Sequence, residues 1–231
     1  MVYVDVHSHM DFEHFDKDRY EILEQMQKRG IFTLSNTLNR DNYYYTKKLF
    51  ESREDVVKVC PGLYPLEAEK MPDDEFKDYL EEIRAMRDEV IAIGEVGLDL
   101  KHGSDEIGFE VQVRRFKSLI ELGIELNKAL IIHTWGAEKE VLEILEEYVS
   151  SRGFKKFVLH CFSGKKKLVR KIRDLKIYAS IPLTVLNTGN FQMLVEELPV
   201  TKLLAETDSP YQNPDKERNS PINIPRVYEK I

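Results

Sequence analysis

Four histidines and two carboxylates stand at the ends of short apolar or β-branched runs in the sequence. Imidazole and carboxylate groups together suit Zn, Mn, Fe, Co or Ni, and Mg would be unusual beside so many histidines. A lone histidine at the end of a strand is more often a packed or surface residue. Here, however, four of the six histidines of the chain share this placement. The predicted ligands of a metal site are His7, His9, Glu95, His133, His160 and Asp208.

Six ligands exceed the needs of one catalytic ion, which takes about three protein ligands and keeps one position open. Two ions about 3.5–4 Å apart, bridged by a carboxylate and a water, would use all six. Such a pair makes hydroxide available at neutral pH and neutralises charge on a carbonyl or phosphoryl oxygen. The residue types therefore predict two divalent metal ions (Zn, Mn, Mg, Ni or Co) and a metal-dependent hydrolase.

These candidate ligands must be positioned by a repeated β–α pattern, which occurs eight times along the chain. Alternating strands and helices predict a parallel sheet with helices outside it. Eight units favour a closed (β/α)₈ TIM barrel over an open doubly wound sheet, and no GxGxxG follows the first strand. The predicted strands are Tyr3–His7, Ile31–Thr37, Val56–Pro61, Val90–Glu95, Ala129–His133, Lys156–His160, Lys176–Ile181 and Leu203–Asp208.

Helical periodicity predicts helices between the strands, and no linker rich in Pro, Gly or Ser divides the chain. We therefore expect a single barrel hydrolase domain over residues 1–231. Gly30 and Gly123 fall where helices should end. The sequence NIPRVYEKI near the end predicts a short final helix, with a homo-oligomer contact as one way to cover the barrel wall. The helix candidates are Asp16–Arg29, Asp74–Asp88, Phe109–Leu126 and Ala137–Ser151.

Active sites of such barrels form at the carboxyl ends of the strands, which is where the six candidate ligands lie. Side chains alternate along a strand, so His7 and His9 are expected to point the same way, and Ile91, Ile93 and Glu95 to share one face. The same alternation predicts that Cys161 points away from His160 and into the core.

Two further acidic residues stand two positions before a candidate ligand. Asp5 precedes His7, and Glu206 precedes Asp208. Both are expected to point inward and to orient ligands from a second layer of residues. The two remaining histidines, His14 and His102, fall in polar loops and are interpreted as solvated, although each follows a strand-end motif from which it can reach the mouth of the site.

Composition limits the classes of protein that remain. The 231 residues are 42% hydrophobic and 32% charged, which is enough apolar material for a sizeable core. The net charge of −7 argues against broad nonspecific binding to nucleic acid without excluding a local basic patch. No apolar run reaches the roughly 18 residues of a membrane span, so no membrane partner is expected. Cys60 and Cys161 form no disulfide framework, which favours a reducing, cytoplasmic location.

The sequence resembles the TatD family of metal-dependent hydrolases, within the amidohydrolase-like barrel superfamily. Five motifs carry the resemblance, occur in order and span nearly the whole chain. They are DVHSHMD at 5–11, GEVGLD at 94–99, IIH at 131–133, LHCFSG at 159–164 and ETDSPY at 206–211.

The resemblance implies a role for each candidate ligand. One ion would be held by His7, His9, Glu95 and Asp208. Glu95 would bridge to a second ion held by His133 and His160. Asp208 would also accept the proton of the attacking water, which makes Asp208 and Glu95 the catalytic pair. Family members hydrolyse phosphodiester bonds in DNA, so the resemblance implies a TatD-type deoxyribonuclease, with 3′–5′ exonuclease action as one form, on DNA or a small phosphodiester.

The chain departs from the family pattern around the substrate. The sequence GLYP places Tyr64 where the family has His, and Trp135 stands where the family has Arg. Tyr can donate a hydrogen bond and Trp can stack on a base, but neither grips phosphate as Arg does. Lys165, which follows Ser163-Gly164, is a third candidate for contact with substrate.

Two alternatives remain open. An amidohydrolase acting on an amide or ester of a small molecule would use the same ions to polarise a carbonyl, and Tyr64 and Trp135 favour it slightly. A noncatalytic protein that keeps metal for structure would bind ions tightly and turn over no substrate.

Overall fold

The computed structural model describes residues 2–102 and 105–231. Within this part of the chain, each of the eight predicted strands is present, and every strand pair is parallel. The strands are β1 Tyr3–Ser8, β2 Ile31–Asn36, β3 Val57–Cys60, β4 Ala92–Gly97, β5 Ala129–His133, β6 Phe157–Leu159, β7 Tyr178–Ile181 and β8 Leu203–Ala205. They pair in the orders β1-β2-β3 and β4-β5-β6-β7-β8.

Backbone hydrogen bonds join the two groups of strands at both seams. After β3, the N–H of Leu63 donates to the carbonyl of Glu95 at 2.9 Å. After β8, the N–H of Asp208 donates to the carbonyl of His7 at 2.9 Å. Consecutive parallel strands thus close on themselves, and the fold is the predicted (β/α)₈ barrel.

Helices follow the strands and surround the barrel. The four helices predicted from periodicity are present, with ends shifted by three residues or fewer. The helices are α1 Arg19–Arg29, α2 Arg40–Leu49, α3 Pro65–Lys70, α4 Asp73–Ala85, α5 Glu106–Leu126, α6 Glu138–Arg152, α7 Lys166–Leu175, α8 Gly189–Glu197 and α9 Ile224–Tyr228. The final helix α9 is short, as predicted, and its Tyr228 hydroxyl donates to the carbonyl of Val4 at 2.9 Å. No helix in residues 2–102 or 105–231 combines the length and apolarity of a membrane span.

The core has two parts, as expected for a barrel wrapped in helices. A large cluster between strands and helices includes Leu130 and Ile132 of β5 with Phe116 of α5. A smaller cluster fills the barrel interior below the site. Its buried members are Val6, Leu34, Cys60, Ala92, Ile131 and Val158.

One predicted helix end is wrong. Gly30 ends α1 with a left-handed φ of 66°, as predicted. Gly123, in contrast, lies inside α5, and the left-handed position is taken by Asn127, with a φ of 56°. A Cβ at position 123 would meet the side chain of Leu130, so this glycine lets α5 approach β5 closely.

The simple alternation predicted for β4 is also wrong. Ile91 precedes the strand and is 47% exposed, and Ile93 packs in the outer core. Ala92 faces the barrel interior instead. The register of β4 against β5 shifts between Ile93 and Val96, which turns Glu95 toward the centre of the barrel mouth.

Candidate metal centre and active site

Four of the predicted ligands converge at the carboxyl end of β1. The Nε2 atoms of His7 and His9 are 3.2 Å apart, and His7 Nε2 lies 3.6 Å from Asp208 Oδ1. Glu95 Oε2 is 3.8 Å from both imidazole nitrogens. Ligand atoms of one tetrahedral ion, at about 2.0–2.1 Å from it, are about 3.3 Å apart. The spacing of these buried atoms therefore fits a single ion.

A second ligand group lies on the other side of Glu95. His133 Nδ1 is 2.7 Å from Glu95 Oε1, and His160 Nε2 is 3.9 Å from the same oxygen. The three residues offer ligand atoms that all lie within 4.8 Å of one another. The two oxygens of Glu95 thus face two different ligand groups, which is the arrangement of a bridging carboxylate.

Hydrogen bonds outside the cluster orient the imidazoles. His9 Nδ1 is 3.0 Å from the carbonyl of Asn36, so the N–H on Nδ1 leaves Nε2 free to bind a cation. The rings of His7 and His160 stack at 3.6 Å, which brings the two ligand groups together. Among the described residues, His7 Nδ1 finds no hydrogen-bond partner.

The acids expected behind the ligands occupy different positions. Glu206 lies behind His160: its Oε2 is 2.8 Å from His160 Nδ1 and accepts from Ser180 Oγ at 2.6 Å. Asp5 contacts the backbone and hydroxyl of Thr207 instead, at 2.9 and 2.6 Å. Asp5 therefore ties β1 to the segment that carries Asp208 and touches no ligand imidazole.

The pKa values of the two second-group histidines rise despite burial. Burial lowers the pKa of His160, but the charges of Glu206 and Asp208 outweigh it and raise that pKa to about 10. Burial also lowers the pKa of His133, but hydrogen bonds to Asp99 and Glu95 outweigh it and raise that pKa to about 9. Without an ion, these two imidazolium groups neutralise the buried carboxylates, so a metal ion must displace their protons.

The pKa values of the two ligand carboxylates, Glu95 and Asp208, shift in opposite directions. Burial would raise the pKa of Glu95, yet the hydrogen bond and charge of His133 bring it well below its usual value. Burial dominates at Asp208 and raises its pKa to about 6, against the opposing charges of His160 and His9. In the metal-free protein, Asp208 therefore binds a proton more tightly than Glu95 does.

Asp99 is a site residue that sequence reasoning missed, although it lies in the quoted GEVGLD motif. Its buried Oδ2 accepts from His133 Nε2 at 2.9 Å, from the Tyr64 hydroxyl at 2.8 Å and from His102 Nδ1 at 2.7 Å. His102 is exposed, as its interpretation as a solvated loop residue requires, and its bond to Asp99 also places it at the mouth of the site. The available signal was a carboxylate four residues after Glu95, but strand alternation does not extend beyond the end of β4.

The predicted substrate contacts lie at the mouth, on the side of His133. The ring of Tyr64 is 5.1 Å from the ring of His133. Trp135 is 48% exposed and meets the ring of His102 edge-on at 4.8 Å. Lys165 is exposed immediately before α7, and no side-chain contact described in the structure brings it to the ligand groups.

Cys161 packs against the large core cluster, as predicted, but it also contacts the ligand cluster. β6 ends at Leu159, and Cys161 adopts a positive φ of 43°, so strand alternation no longer applies there. Its Sγ lies 3.8 Å from Asp208 Oδ2, and its N–H donates to Glu206 Oε1 at 2.9 Å. The partly buried residue thus lies between the core and the edge of the ligand cluster.

A (β/α)₈ barrel whose strand ends present histidines and carboxylates to a shared centre defines the class of barrel metal-dependent hydrolases. Within this class, the chain belongs to the TatD related DNase family, whose profile matches residues 4–231. The chain is therefore a TatD-family hydrolase, and relatives of this family are named metal-dependent hydrolases.

Relatives with names and structures agree with this assignment. An uncharacterized metal-dependent hydrolase of Methanocaldococcus jannaschii is 30% identical over 99% of this chain and 87% of its own length. Deoxyribonuclease TATDN3 of Homo sapiens is 29% identical over 96% of this chain and 83% of its own. The crystal structure of YjjV, a TatD homologue of Escherichia coli, has a TM-score of 0.84 at 23% identity, covering 98% of this chain and 88% of that one.

Proposed function

We propose that this hydrolase is a deoxyribonuclease that uses two divalent ions to cleave phosphodiester bonds, with 3′–5′ exonuclease action on DNA ends as its favoured form. One observation carries the proposal: the two oxygens of Glu95 face two separate ligand groups. A related human protein bears the name deoxyribonuclease TATDN3, which supports DNA as the substrate.

The ions, when bound, supply an activated water and neutralise charge that develops on a phosphoryl oxygen. The first ion would be held by His7, His9, Glu95 and Asp208, and the second by His133 and His160 together with Glu95. Zn, Mn, Co and Ni fit this donor set better than Mg does.

The remaining steps belong to the side chains of the chain itself. Asp208 accepts the proton of the attacking water, because its Oδ1 faces the first ligand group while its Oδ2 points away from that group. Glu206 and Asp99 hold the rings of His160 and His133 in place. Hydrolysis therefore depends on a fixed cluster assembled from five different strand ends.

The substrate contacts the aromatic side chains at the mouth of the barrel. Trp135 offers an exposed face on which a base can stack, and Tyr64 borders His133. Lys165 supplies a charge for phosphate from the loop before α7.

We further propose a single domain over residues 1–231, and a reducing, cytoplasmic location consistent with the free thiols of Cys60 and Cys161. Homo-oligomer formation stays a prediction.

The test is hydrolysis of bis(p-nitrophenyl) phosphate by metal-stripped protein after return of Mn²⁺, Zn²⁺ or Mg²⁺. Asp208→Asn is expected to bind metal and to lose turnover by at least about 100-fold, because the proton acceptor is removed. Asp88→Asn is the matched control, since the Asp88 side chain is 97% exposed. Full activity of Asp208→Asn with metal bound would refute its assigned role.

One observation favours hydrolysis of a small amide or ester as a second candidate. The Tyr64 hydroxyl is committed to Asp99 at 2.8 Å and position 135 carries indole, so these two places offer no cation to phosphate. Salt dependence separates the candidates. Binding of a DNA polyanion should weaken steeply as salt rises, whereas a neutral amide should not respond.

A further inference from the structure

The loop after β6 brings a thiol to the edge of the ligand cluster. The N–H of His160 still donates to the carbonyl of Ile132 at 2.9 Å, as the next residue of the strand would. The chain then turns at Cys161, where Glu206 Oε1 receives the Cys161 N–H. This turn directs Sγ toward Asp208, and Cys161 remains partly accessible.

Three potential ligand atoms meet at this place. His160, Cys161 and Asp208 offer one ligand atom each, and these atoms all lie within 4.8 Å of one another. The separation of Cys161 Sγ from Asp208 Oδ2 is 3.8 Å. A sulfur and an oxygen bound to one tetrahedral zinc-sized ion are about 3.6 Å apart, so this pair already has the spacing of two ligands.

We propose that His160, Cys161 and Asp208 form a distinct binding position for a thiophilic divalent cation, such as Cd²⁺ or excess Zn²⁺, which competes with the two-ion centre. The inference rests on the proposed function for that competition. Thiolate is a soft ligand that selects soft or borderline ions, whereas the six nitrogen and oxygen ligands also accept harder ones such as Mn²⁺. Coordination replaces the S–H bond with a sulfur–metal bond, and the thiol proton passes to solvent.

Competition follows from the shared residues. Asp208 Oδ1 is 3.6 Å from His7 Nε2, while Oδ2 faces the thiol. His160 Nε2 is 3.9 Å from Glu95 Oε1 within the second ligand group. His160 Nδ1 is held by Glu206 Oε2 at 2.8 Å, so His160 has only Nε2 to offer an ion, and an ion held at Cys161 takes it from the second group. The thiophilic position and the second position of the two-ion centre therefore exclude each other.

The chain contains a matched control thiol. Cys60 is fully buried among the apolar side chains of the barrel interior. Its nearest cluster members include Val6 and Ile131, and no metal-binding group among the described residues includes it. A thiophilic ion added to the folded protein should therefore bind Cys161 and not Cys60.

The first experiment measures binding without reference to activity. Metal-stripped full-length protein is titrated with Cd²⁺ while the ultraviolet thiolate-to-cadmium charge-transfer band is recorded. The band is expected in the wild type and in Cys60→Ala, and it should be absent in Cys161→Ser. Circular dichroism verifies that each variant is folded. A band of wild-type strength in folded Cys161→Ser would overturn the site, as would its absence from the wild type.

The second experiment tests the competition. Mn²⁺-loaded wild type and Cys161→Ser are inhibited with Cd²⁺, each relative to its own uninhibited rate on bis(p-nitrophenyl) phosphate. The variant is expected to need at least about tenfold more Cd²⁺, because loss of even an outer partner of a metal ligand costs about 10–100-fold in affinity. Equal sensitivity would overturn the competition. Absence of turnover with Mn²⁺ would count against the proposed function alone, since the absorbance test needs no turnover.

Discussion

The Oδ2 atom of Asp99 accepts a hydrogen bond from His133 Nε2 at 2.9 Å, and this contact sets which nitrogen of His133 faces the ligand cluster. With Nε2 engaged, Nδ1 is directed at Glu95 Oε1. The same Asp99 oxygen receives the Tyr64 hydroxyl and His102 Nδ1. One carboxylate therefore connects a metal-facing imidazole to two residues at the barrel mouth.

Replacement of Asp99 should weaken the second ion position selectively. In Asp99→Asn the charge that orients His133 is lost, and we expect metal affinity at that position to fall by about 10–100-fold. The first group, centred on His7 and His9, should keep its affinity. Stepwise titration against a chelating indicator resolves the two positions. The exposed Asp174→Asn serves as the control, and an equal loss at both positions would contradict the assignment.

Metal binding should release protons, and affinity should rise with pH. The pKa values of His133 and His160 are raised to about 9 and about 10. Both rings are therefore imidazolium, with both nitrogens protonated, at neutral pH in the metal-free protein. An ion must displace these protons, and affinity falls about tenfold per pH unit for each proton displaced as pH drops below those values. Calorimetry near neutral pH in buffers of different ionisation enthalpy counts the protons. We expect about two for full loading and about one fewer for His160→Asn, whereas no release would refute this account.

The sequence was sufficient for the barrel and for the meeting of His7, His9, His133 and His160, because strand ends in a parallel barrel share one edge. It was insufficient wherever the backbone leaves regular geometry. The contact of Cys161 with Asp208 was missed because strand alternation does not foresee its positive φ.

A register shift within β4 and contacts between residues distant in sequence account for the other wrong or missing predictions. Ile91 and Ile93 were misplaced because the register of β4 shifts before Val96. Asp99 was missed because it lies beyond the end of β4, and two of its partners, Tyr64 after β3 and His133 of β5, are distant in sequence. Periodicity carries no information about such contacts.

Trp135 should contribute to substrate affinity rather than to the chemical step. Trp135→Ala removes the exposed indole, and stacking on one base is worth about 1–3 kcal/mol. We expect KM for a single-stranded oligonucleotide to rise roughly 5–150-fold with kcat little changed, the pattern of lost uniform binding. Ile91→Ala is a matched control, because Ile91 is 47% exposed and Trp135 48%, yet Ile91 lies before the start of β4 at the opposite end of the barrel. A fall in kcat with KM unchanged would place Trp135 in the chemistry instead.

The close approach of the loop after β3 to Glu95 makes Gly62 a structural requirement of the site. A Cβ at position 62 would overlap the carbonyl oxygen of Thr37 and the backbone nitrogen of Glu95, neither of which can rotate away. Gly62→Ala should therefore cost about 1–3 kcal/mol, a fall in Tm of about 2–12 °C for a chain of this size.

The comparison glycine is Gly189 at the start of α8, where an added Cβ would meet nothing within 4 Å. Gly189→Ala should leave Tm unchanged or slightly raised, since alanine lowers the entropy of the unfolded chain. Differential scanning calorimetry of the metal-free proteins compares the two variants. Because Gly62 packs against the backbone of Glu95, its replacement should also weaken metal binding at both proposed ion positions. A stable Gly62→Ala protein with wild-type metal affinity would show that Glu95 is not held in place by this contact.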